Sequence, residues 1–418
     1  MFTDIEEQII QFAKNPISGP RIAVIGGGTG LSTLLRGLKL FSNNLTAIVT
    51  VADNGGSSGM LREDLGILPP GDIRNCILAL ADTEPLMSDL LNFRFQDGRL
   101  KGQNFGNLLI AAMSGISENF YDAVRNVSKV LAVKGRVLPV SLHDLQIGAR
   151  LRDGSVIRGE TEIGHRHATP DNEIVDIFME PDNARALPEV IETLLSADMI
   201  ILGPGSLFTS IIPNLLFAEI IQAIHASNAI KIYVCNIMTQ PAETMGFTAS
   251  RHLQAILHHA GQEHAAGLVD SCIVNSAWID RQQIARYRLE SAIPVMADRE
   301  SVEQLGVKMI DAPLACINNG AIRHDHTVLA RMILQQFLEQ QKKPYRGRIG
   351  PVARPAADLL GRSASDPLSR TVTDPLSRSA SDPLARTVTD PLTRSASDPL
   401  ARSASDPLAV EPLRRMAE

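Results

Sequence analysis

Residues 21–52, RIAVIGGGTGLSTLLRGLKLFSNNLTAIVTVA, decide the fold of this chain. An apolar run at 21–25 ends in three glycines, which predicts a buried strand that enters a tight turn. Apolar residues recur at helical spacing over 31–41, and the β-branched segment 45–52 predicts a second strand. A strand, a turn, a helix and a strand in this order predict a right-handed parallel crossover.

The alternation of strands with helices continues to about residue 342 and predicts a Rossmann-like α/β fold with a doubly wound, mainly parallel sheet. One segment differs, because Asp153-Gly154 is a hairpin turn signal. We expect residues 137–163 to form an antiparallel excursion from the sheet. The other predicted strands cover 199–202, 230–235 and 267–274. The other predicted helices cover 72–81, 85–93, 104–131, 183–196, 249–259 and 327–340, and a short helix precedes residue 15.

The composition of the 418 residues excludes several classes of protein. The net charge is −6 and aromatic residues make up 4%, whereas nucleic-acid binding normally requires a basic surface with aromatic stacking platforms. The four cysteines are isolated, which indicates a reducing compartment and argues against disulfides and zinc. The N-terminus is acidic, unlike a signal peptide, and no apolar run approaches the ~20 residues that span a bilayer. We therefore expect a cytoplasmic protein without nucleic-acid or membrane partners.

The end of the chain has a different character. Within residues 343–418, Asp-Pro-Leu recurs every eight residues in six copies, from Asp366 to Asp406. A proline in every repeat forbids long helices, and one leucine per repeat buries too little surface to offset chain entropy, so we expect disorder. Each repeat places an arginine three residues before a serine or threonine; a Ser/Thr kinase partner and an unmodified low-complexity linker are the two interpretations. The predicted domains are an N-terminal extension at 1–20, a nucleotide-binding domain at 21–342 and the repeat tail at 343–418.

The turn after the first predicted strand has the features of a phosphate site. Successive glycines let a backbone approach a ligand closely, and the N-terminus of the following helix presents unpaired amides and about half a positive charge. The turn lacks the third glycine of the dinucleotide fingerprint, which would fall at Leu31, and the Gly-Lys-[Ser/Thr] of a P-loop. A tight turn without a ligand is the alternative. The candidate residues are Gly26, Gly27, Gly28, Thr29 and Gly30.

The sequence DNGGSSG at 53–59 follows the second predicted strand, at the edge where open α/β sheets bind their ligands. Asp53 has the position of the acid that binds a ribose hydroxyl in dinucleotide folds. It could instead hold Mg²⁺ against phosphates, although its neighbour Asn54 offers only a neutral carbonyl ligand. The candidate ligand-binding residues are Asp53, Asn54, Gly55, Gly56, Ser57 and Ser58.

Three further segments complete the predicted site. Asp72 is expected to be the N-cap of a helix, and an anion beside Arg74 would explain a cation placed against the helix dipole. The turn at 203–206 follows a strand and predicts a second anion site, which suggests a diphosphate or two phosphorylated groups. The polar segment at 236–244 offers a rim for a base or a sugar. The candidates are Asp72, Arg74, Asn75, Asn107, Gly203, Gly205, Ser206, Asn236, Thr239 and Gln240.

Six motifs in order resemble a known family: GGGTGLSTLLRGLK, IVTVADNGGSSGMLRED, PPGDIRN, FGNLL, GPGSLFTSIIPNLL and CNIMTQPAETMGFTASRHLQAI. They are similar to the gluconeogenesis factor family (YvcK-like), which is related to the CofD-like 2-phospho-L-lactate transferases. The resemblance extends over residues 21–340. It implies a Rossmann-like fold, UDP-sugar binding with UDP-N-acetylglucosamine as the favoured ligand, and a role in bacterial cell shape and cell-wall homeostasis during gluconeogenic growth.

The resemblance also assigns residues. It implies that Tyr287 and Arg323 contact the sugar nucleotide, through an aromatic face and a cation that pairs with the diphosphate. The chain departs from the family where Asp53-Asn54 replaces two acids, which weakens metal-dependent transfer chemistry, and where Pro241 stiffens the polar rim. The phosphate-facing residues that it carries over lie at 26–30, at 53, at 55–58, at 74 and at 203–206.

Three functions are weighed. The favoured hypothesis is a UDP-sugar-sensing regulator, because phosphate-binding turns occur without an evident acid–base pair or nucleophile. A homodimer is also expected. The alternative is a transferase that uses a nucleotide-diphosphate donor with a metal near Asp53; an NAD(P) oxidoreductase is disfavoured by the incomplete fingerprint. No catalytic residue, firmly bound cofactor or histidine metal site is predicted, since histidine pairs lack a third ligand and Ser206 lacks a nucleophile-elbow glycine. All three hypotheses require Gly28, Asp53 and Gly205 to lie close together.

Overall fold

A computed structural model describes residues 2–82, 85–261, 265–318 and 320–341. Its strands are β1 (Ile22–Gly26), β2 (Leu45–Val49), β3 (Arg136–Pro139), β4 (Gln146–Leu151), β5 (Val156–Arg158), β6 (Ile174–Glu180), β7 (Met199–Leu202), β8 (Ile230–Val234), β9 (Ser271–Asn275), β10 (Lys308–Ala312), β11 (Ala315–Asn318) and β12 (Ala321–His324). Its α-helices are α1 (Phe2–Lys14), α2 (Gly28–Leu38), α3 (Gly56–Leu65), α4 (Gly71–Leu80), α5 (Pro85–Asn92), α6 (Phe105–Ser114), α7 (Phe120–Val130), α8 (Glu160–His165), α9 (Pro188–Ser196), α10 (Ile212–Leu215), α11 (Ala218–Ala226), α12 (Ala249–His259), α13 (Arg281–Leu289), α14 (Arg299–Gln304) and α15 (His326–Gln340).

Seven strands form one parallel sheet in the order β10-β9-β8-β7-β1-β2-β3. The central strand β1 pairs with β2 on one side and with β7 on the other, so the strand order reverses beside it. The predicted doubly wound fold is confirmed. In such sheets a crevice opens where the order reverses, outside the carboxyl ends of the strands, and ligands bind in that crevice. The fold therefore directs attention to the turns after β1 and β7.

Burial explains why these strands were recognisable in the sequence. All residues of β1, β2 and β7 are buried, so each strand appears as a continuous apolar run rather than as an alternating one. The helix α2 packs against α4 and α15, and α9 packs against α11. Helix α1 also contacts α15 and buries Ile9 and Phe12, so the predicted N-terminal extension shares the main hydrophobic core.

The antiparallel excursion is present but differs in extent. β4 and β5 pair antiparallel across the turn at Asp153-Gly154, as predicted, and the unpredicted strand β6 pairs with the other side of β4. The predicted segment began too early, because β3 pairs parallel to β2 in the main sheet. Strand β10, helix α13 and the β11–β12 hairpin were also not predicted. β10 is an edge strand in which exposed Lys308 and Asp311 interrupt the apolar run.

Two predicted helices have different bounds. The helix at 104–131 is two helices, α6 and α7, because the side chain of Asn119 accepts a hydrogen bond from the Asp122 amide and caps a new helix. The helix at 183–196 begins only at Pro188, in the first turn, where proline is favoured. The predicted repeat tail lies outside the described residues.

Among the described residues, no single helix is both long enough and apolar enough to cross a bilayer. One bent pair of helices, Leu207–Leu215 with Ala218–Ala226, reaches the required length and apolar character only when the two are taken together.

Candidate functional site

The two predicted glycine turns pack directly against each other. Gly28 opens α2 with a φ of +67°, and a Cβ placed on Gly30 would lie 2.5 Å from the carbonyl oxygen of Pro204. A Cβ on Gly205 would lie 3.2 Å from the Gly27 carbonyl oxygen. Because any side chain would force these backbones apart, glycine is required by close approach and not only by the turn. The turns after β1 and β7 form one continuous wall.

A cavity of about 410 Å³ borders this wall at the carboxyl edge of the sheet. Its volume lies in the range of about 300–1,000 Å³ that is usual for small-molecule sites. We call it the pyrophosphate cavity. It brings together predicted residues that are separated by almost 300 positions of sequence. The predicted residues that line it are Gly27, Gly28, Thr29, Gly30, Asp72, Gly205, Ser206, Asn236, Thr239, Gln240, Tyr287 and Arg323.

The polar rim at 236–240 braces the second turn. The Asn236 amide nitrogen donates to the Gly205 carbonyl oxygen at 2.9 Å, and the Gln240 amide nitrogen donates to the Ser206 hydroxyl at 2.7 Å. The Ser206 oxygen accepts that bond, so its own hydroxyl hydrogen can donate to a ligand. Thr239 is committed instead to the backbone of Ile293, because its hydroxyl accepts from that amide at 3.0 Å.

Tyr287 and Arg323 line the opposite part of the cavity, on α13 and β12. The Tyr287 hydroxyl accepts a hydrogen bond from the Ile322 amide at 2.9 Å, and Arg323 donates through Nη1 to the Ile322 carbonyl at 3.0 Å. Arg323 forms no ion pair with any carboxylate among the described residues. Its guanidinium can therefore pair with an anion in the cavity.

Asp72 occupies a different position from the predicted one. Pro70 is at the N-cap of α4, and Asp72 lies in the first turn, where its carboxylate accepts a hydrogen bond from the Gly28 amide. The prediction was wrong because the helix begins at Gly71, which carries the acid past the cap position and towards the glycine turn. Burial, reinforced by the carboxylate of Asp53, raises the pKa of Asp72 to about 6.

Glu160 lines the same cavity and was missed by sequence reasoning. It opens α8 and forms a hydrogen bond with Asp53. Burial, followed by the carboxylates of Asp53 and Asp72, raises the pKa of Glu160 well above its usual range, so the side chain is neutral at pH 7. The protonated Glu160 carboxyl can therefore donate in its hydrogen bond to Asp53. Nothing in the local sequence signals this contact, because the residues are brought together only when α8 packs on the loop after β2.

The residues of the loop at 53–59 do not line the cavity. The Asp53 carboxylate accepts from the Gly55 amide at 2.8 Å, and Asn54 accepts from the Thr161 amide at 2.9 Å. Ser57 donates to Gln103 at 2.7 Å, and its oxygen also accepts from two neighbouring groups of the α6 start. These bonds hold the loop in place and position Asp53 against Glu160.

The remaining predicted residues are also engaged within the protein. Ser58 accepts from the Gly71 amide at 3.1 Å, and Arg74 donates to Asn75 at 2.7 Å. Whether a ligand contacts them stays a prediction. The predicted residues that do not line the cavity are Gly26, Asp53, Asn54, Gly55, Gly56, Ser57, Ser58, Arg74, Asn75, Asn107 and Gly203.

A metal site and a second cavity are the two alternatives to this site. Over the ranges that the structure describes, no group of three or more His, Cys, Asp or Glu side chains is arranged to hold a metal ion. A cavity of about 360 Å³ lies at the opposite edge of the sheet, around the first residues of β1 and β2. It lacks the carboxyl-edge position at which α/β sheets bind ligands, and Arg21 on its wall is paired with Asp198. The pyrophosphate cavity is therefore the stronger candidate.

Known proteins with similar sequences and structures agree with this fold. A family model described as 2-phospho-L-lactate transferase CofD matches residues 22–315. The chain is similar to the gluconeogenesis factor of Bacillus subtilis, with 45% identity over 77% of this chain and 99% of the relative. It is also similar to that of Listeria monocytogenes, with 38% identity over 77% of this chain and 97% of the relative. A crystal structure of a Bacillus halodurans protein matches with a TM-score of 0.72 and 43% identity, covering 76% of this chain and 99% of the other.

Proposed function

We propose that this chain, which belongs to the CofD family and within it to the gluconeogenesis factors, binds a UDP-sugar in the pyrophosphate cavity. UDP-N-acetylglucosamine is the ligand that we favour. The observation that carries the proposal is the direct packing of Gly30 against Pro204, which brings two strand–turn–helix anion sites to one wall. One phosphate needs one such site, whereas two adjoining sites suit a diphosphate.

The cavity lining divides into parts that suit the parts of a nucleotide sugar. The amides of the 27–30 turn, the Ser206 hydroxyl and the Arg323 guanidinium suit the two phosphates. Tyr287 offers an aromatic face, and the rim around Asn236 offers amide groups for a base or a sugar. This division supports a nucleotide sugar over a free phosphate, because it supplies groups for both ends of the molecule.

The role that we propose is regulatory. The Gly28 amide already donates to Asp72. A bound pyrophosphate would compete with that carboxylate, so ligand occupancy changes the contacts of α4 as well as those of the turn. We propose that this change links UDP-sugar levels to cell shape and cell-wall homeostasis during growth on gluconeogenic carbon sources.

A transferase is the second candidate function. It is favoured by the description of the matching family model and by the three carboxyl groups of Asp53, Asp72 and Glu160 beside the phosphate wall. Release of a nucleotide product from a nucleotide-diphosphate donor with Mg²⁺, lost in Asp53→Ala, would favour the transferase over the regulator.

Calorimetric titration of the full chain with UDP-N-acetylglucosamine tests the binding proposal. We expect saturable heat, and we expect Arg323→Gln to weaken binding about 10- to 100-fold, as is usual for a lost hydrogen bond to a charged group. Arg185→Gln is the matched control, because Arg185 is exposed, pairs only with Glu219 among the described carboxylates and does not line the cavity. Absence of heat at millimolar ligand, or equal binding by both variants and the wild type, would contradict the proposal.

A further inference from the structure

A second, smaller cavity is lined by residues that lie close in sequence to residues of the pyrophosphate cavity. It has a volume of about 170 Å³, and we call it the arginine cavity because Arg166 and Arg251 line it. Gln240 lines the pyrophosphate cavity and Glu243, three residues later, lines the arginine cavity. Two chain segments thus contribute to both cavities, since the segment that carries Glu160 in the first cavity continues to Arg166 in the second.

The carboxylates of the arginine cavity are already committed to partners. Glu173 forms ion pairs with Arg251 and, at 2.9 Å, with Arg152. The Arg251 guanidinium also stacks on the Phe247 ring at 4.2 Å from its centroid. Glu243 accepts hydrogen bonds from the Phe208 amide at 2.9 Å and from a neighbouring threonine hydroxyl at 3.1 Å. Both carboxylates act on Arg166 electrostatically, but neither forms an ion pair with it.

Arg166 has an unused hydrogen-bonding edge. Its Nη1 donates to the backbone and side-chain oxygens of Asn172, at 2.7 and 3.0 Å. Its Nε is buried without a hydrogen-bond partner, and Arg166 forms no ion pair with the carboxylates that the structure describes. A guanidinium edge made of Nε and Nη2 is the geometry that binds a carboxylate or a phosphate through two parallel hydrogen bonds. Arg166 is therefore a part-buried cation without an ion-pair partner among the described residues, and an anion in the cavity could pair with it.

We propose that the arginine cavity binds a small anion with a carboxylate or phosphate group and that its occupancy changes ligand affinity in the pyrophosphate cavity. A volume of about 170 Å³ suits a small anion. The coupling path is short. Glu243 lies in the cavity wall and holds Phe208, and the π-helical turn that contains Phe208 begins directly after Ser206 of the pyrophosphate cavity.

Anion binding is tested first, without nucleotide, so that this half does not depend on the proposed UDP-sugar function. Separate titrations of the full chain with inorganic phosphate and with malonate distinguish a phosphate site from a carboxylate site. We expect at least one anion to bind and Arg166→Gln to weaken it about tenfold or more, a loss of about 1.4 kcal/mol. Arg185→Gln is the control that should bind as the wild type does. If Arg166→Gln fails to fold, Arg166→Lys, which keeps the charge and loses the fork, takes its place.

Binding in the wrong cavity is the main competing outcome. Gly30→Ala displaces the two turns that form the wall of the pyrophosphate cavity. An anion whose binding is lost in Gly30→Ala and retained in Arg166→Gln therefore binds in that cavity, which overturns the proposal. Failure of both anions to bind the wild type overturns it as well.

The second part of the proposal, the coupling between the two cavities, rests on the proposed function. Its test is the change in UDP-N-acetylglucosamine affinity when the arginine cavity is saturated with the anion. We expect a several-fold change in wild type and none in Glu243→Gln, which offers one acceptor oxygen in place of the two that Phe208 and Thr209 use. An unchanged nucleotide affinity in wild type overturns the coupling alone. If the nucleotide does not bind at all, the proposed function fails while the anion result stands.

Discussion

The turn at 26–30 and the loop at 53–59 have similar compositions but differ in what their polar groups contact. Both follow buried parallel strands and both are rich in glycine. The first turn lines the pyrophosphate cavity. The hydroxyl and carboxylate groups of the second loop are largely engaged inside the protein, with Ser57 bonded to the α6 start and Asp53 to Gly55 and Glu160.

The difference lies in what surrounds each glycine. Gly30 faces the backbone of a second turn, whereas Gly59 faces the carbonyl of Asn54 in its own loop. A glycine that faces another element creates a shared wall, and a glycine that faces its own loop only tightens that loop. Mutations at the two places should therefore separate ligand affinity from stability.

The largest expected effect is on the first turn. Gly30→Ala places a Cβ 2.5 Å from the Pro204 carbonyl oxygen, so the two turns must move apart. We expect a loss of about 1–3 kcal/mol in the free energy of unfolding, typical of overpacking. Affinity for UDP-N-acetylglucosamine should fall about 100-fold, since a displacement of about 1 Å at a positioned site can cost that much. Denaturant unfolding and calorimetry measure both. Gly164→Ala, at an open position, is the control that should change neither quantity.

The next effect is the pH dependence of the free energy of unfolding that Asp72 causes. The pKa of this carboxyl is raised to about 6 in the folded protein, from 3.8, so the folded state binds its proton more tightly than the unfolded state. Stability therefore falls as pH rises from about 4 to about 6 and stays lower above that. Replacing the carboxylate in Asp72→Asn should remove this penalty and raise the free energy of unfolding at pH 7 by up to about 3 kcal/mol.

Ligand affinity should follow the same proton. The ionised carboxylate at the Gly28 amide repels phosphate, so wild-type affinity for UDP-N-acetylglucosamine should rise about tenfold as pH falls from 7.5 to 5, as expected for removal of a nearby like charge. The phosphates of this ligand do not titrate in that range, and Glu160 remains neutral throughout it. Asp72→Asn should bind equally at both pH values. A pH dependence that persists in this variant would assign the titration to another group.

The smallest effects distinguish two serines. Ser57→Ala leaves buried partners at the α6 start unsatisfied and should cost about 1–3 kcal/mol of stability with affinity nearly unchanged. Ser206→Ala should do the reverse, lowering affinity about 3- to 10-fold for one lost hydrogen bond to phosphate. Thermal unfolding and nucleotide titration of both variants provide the comparison. Equal losses of affinity would show that the second loop also contacts the ligand.

Much of the fold could be predicted because its central strands are buried on both faces. Strand β7 and helix α12 have the bounds that their apolar patterns indicate. Edge strands were harder to predict from the sequence. β10 mixes charged with apolar residues, and β3 was assigned to the antiparallel excursion because its pairing partner is distant in sequence.

The candidate site could be predicted in part for the same reason. Glycine turns after strands are local signals, so Gly28 and Gly205 were identified as facing one cavity edge. Glu160 could not be identified, because its importance depends on a packing contact between α8 and the loop that holds Asp53. Arg166 was missed for the same reason, because only the folded structure shows that its Nε has no hydrogen-bond partner.

The sequence by itself determined the parallel sheet and the positions of its glycine turns, because burial and backbone freedom act over a few neighbouring residues. Only the tertiary structure decided which polar groups face the cavity, which form internal hydrogen bonds and which carboxyl groups contact each other. Those properties depend on distances between side chains that are far apart in the chain, and hydrogen bonding and charge interactions fall off within a few ångströms.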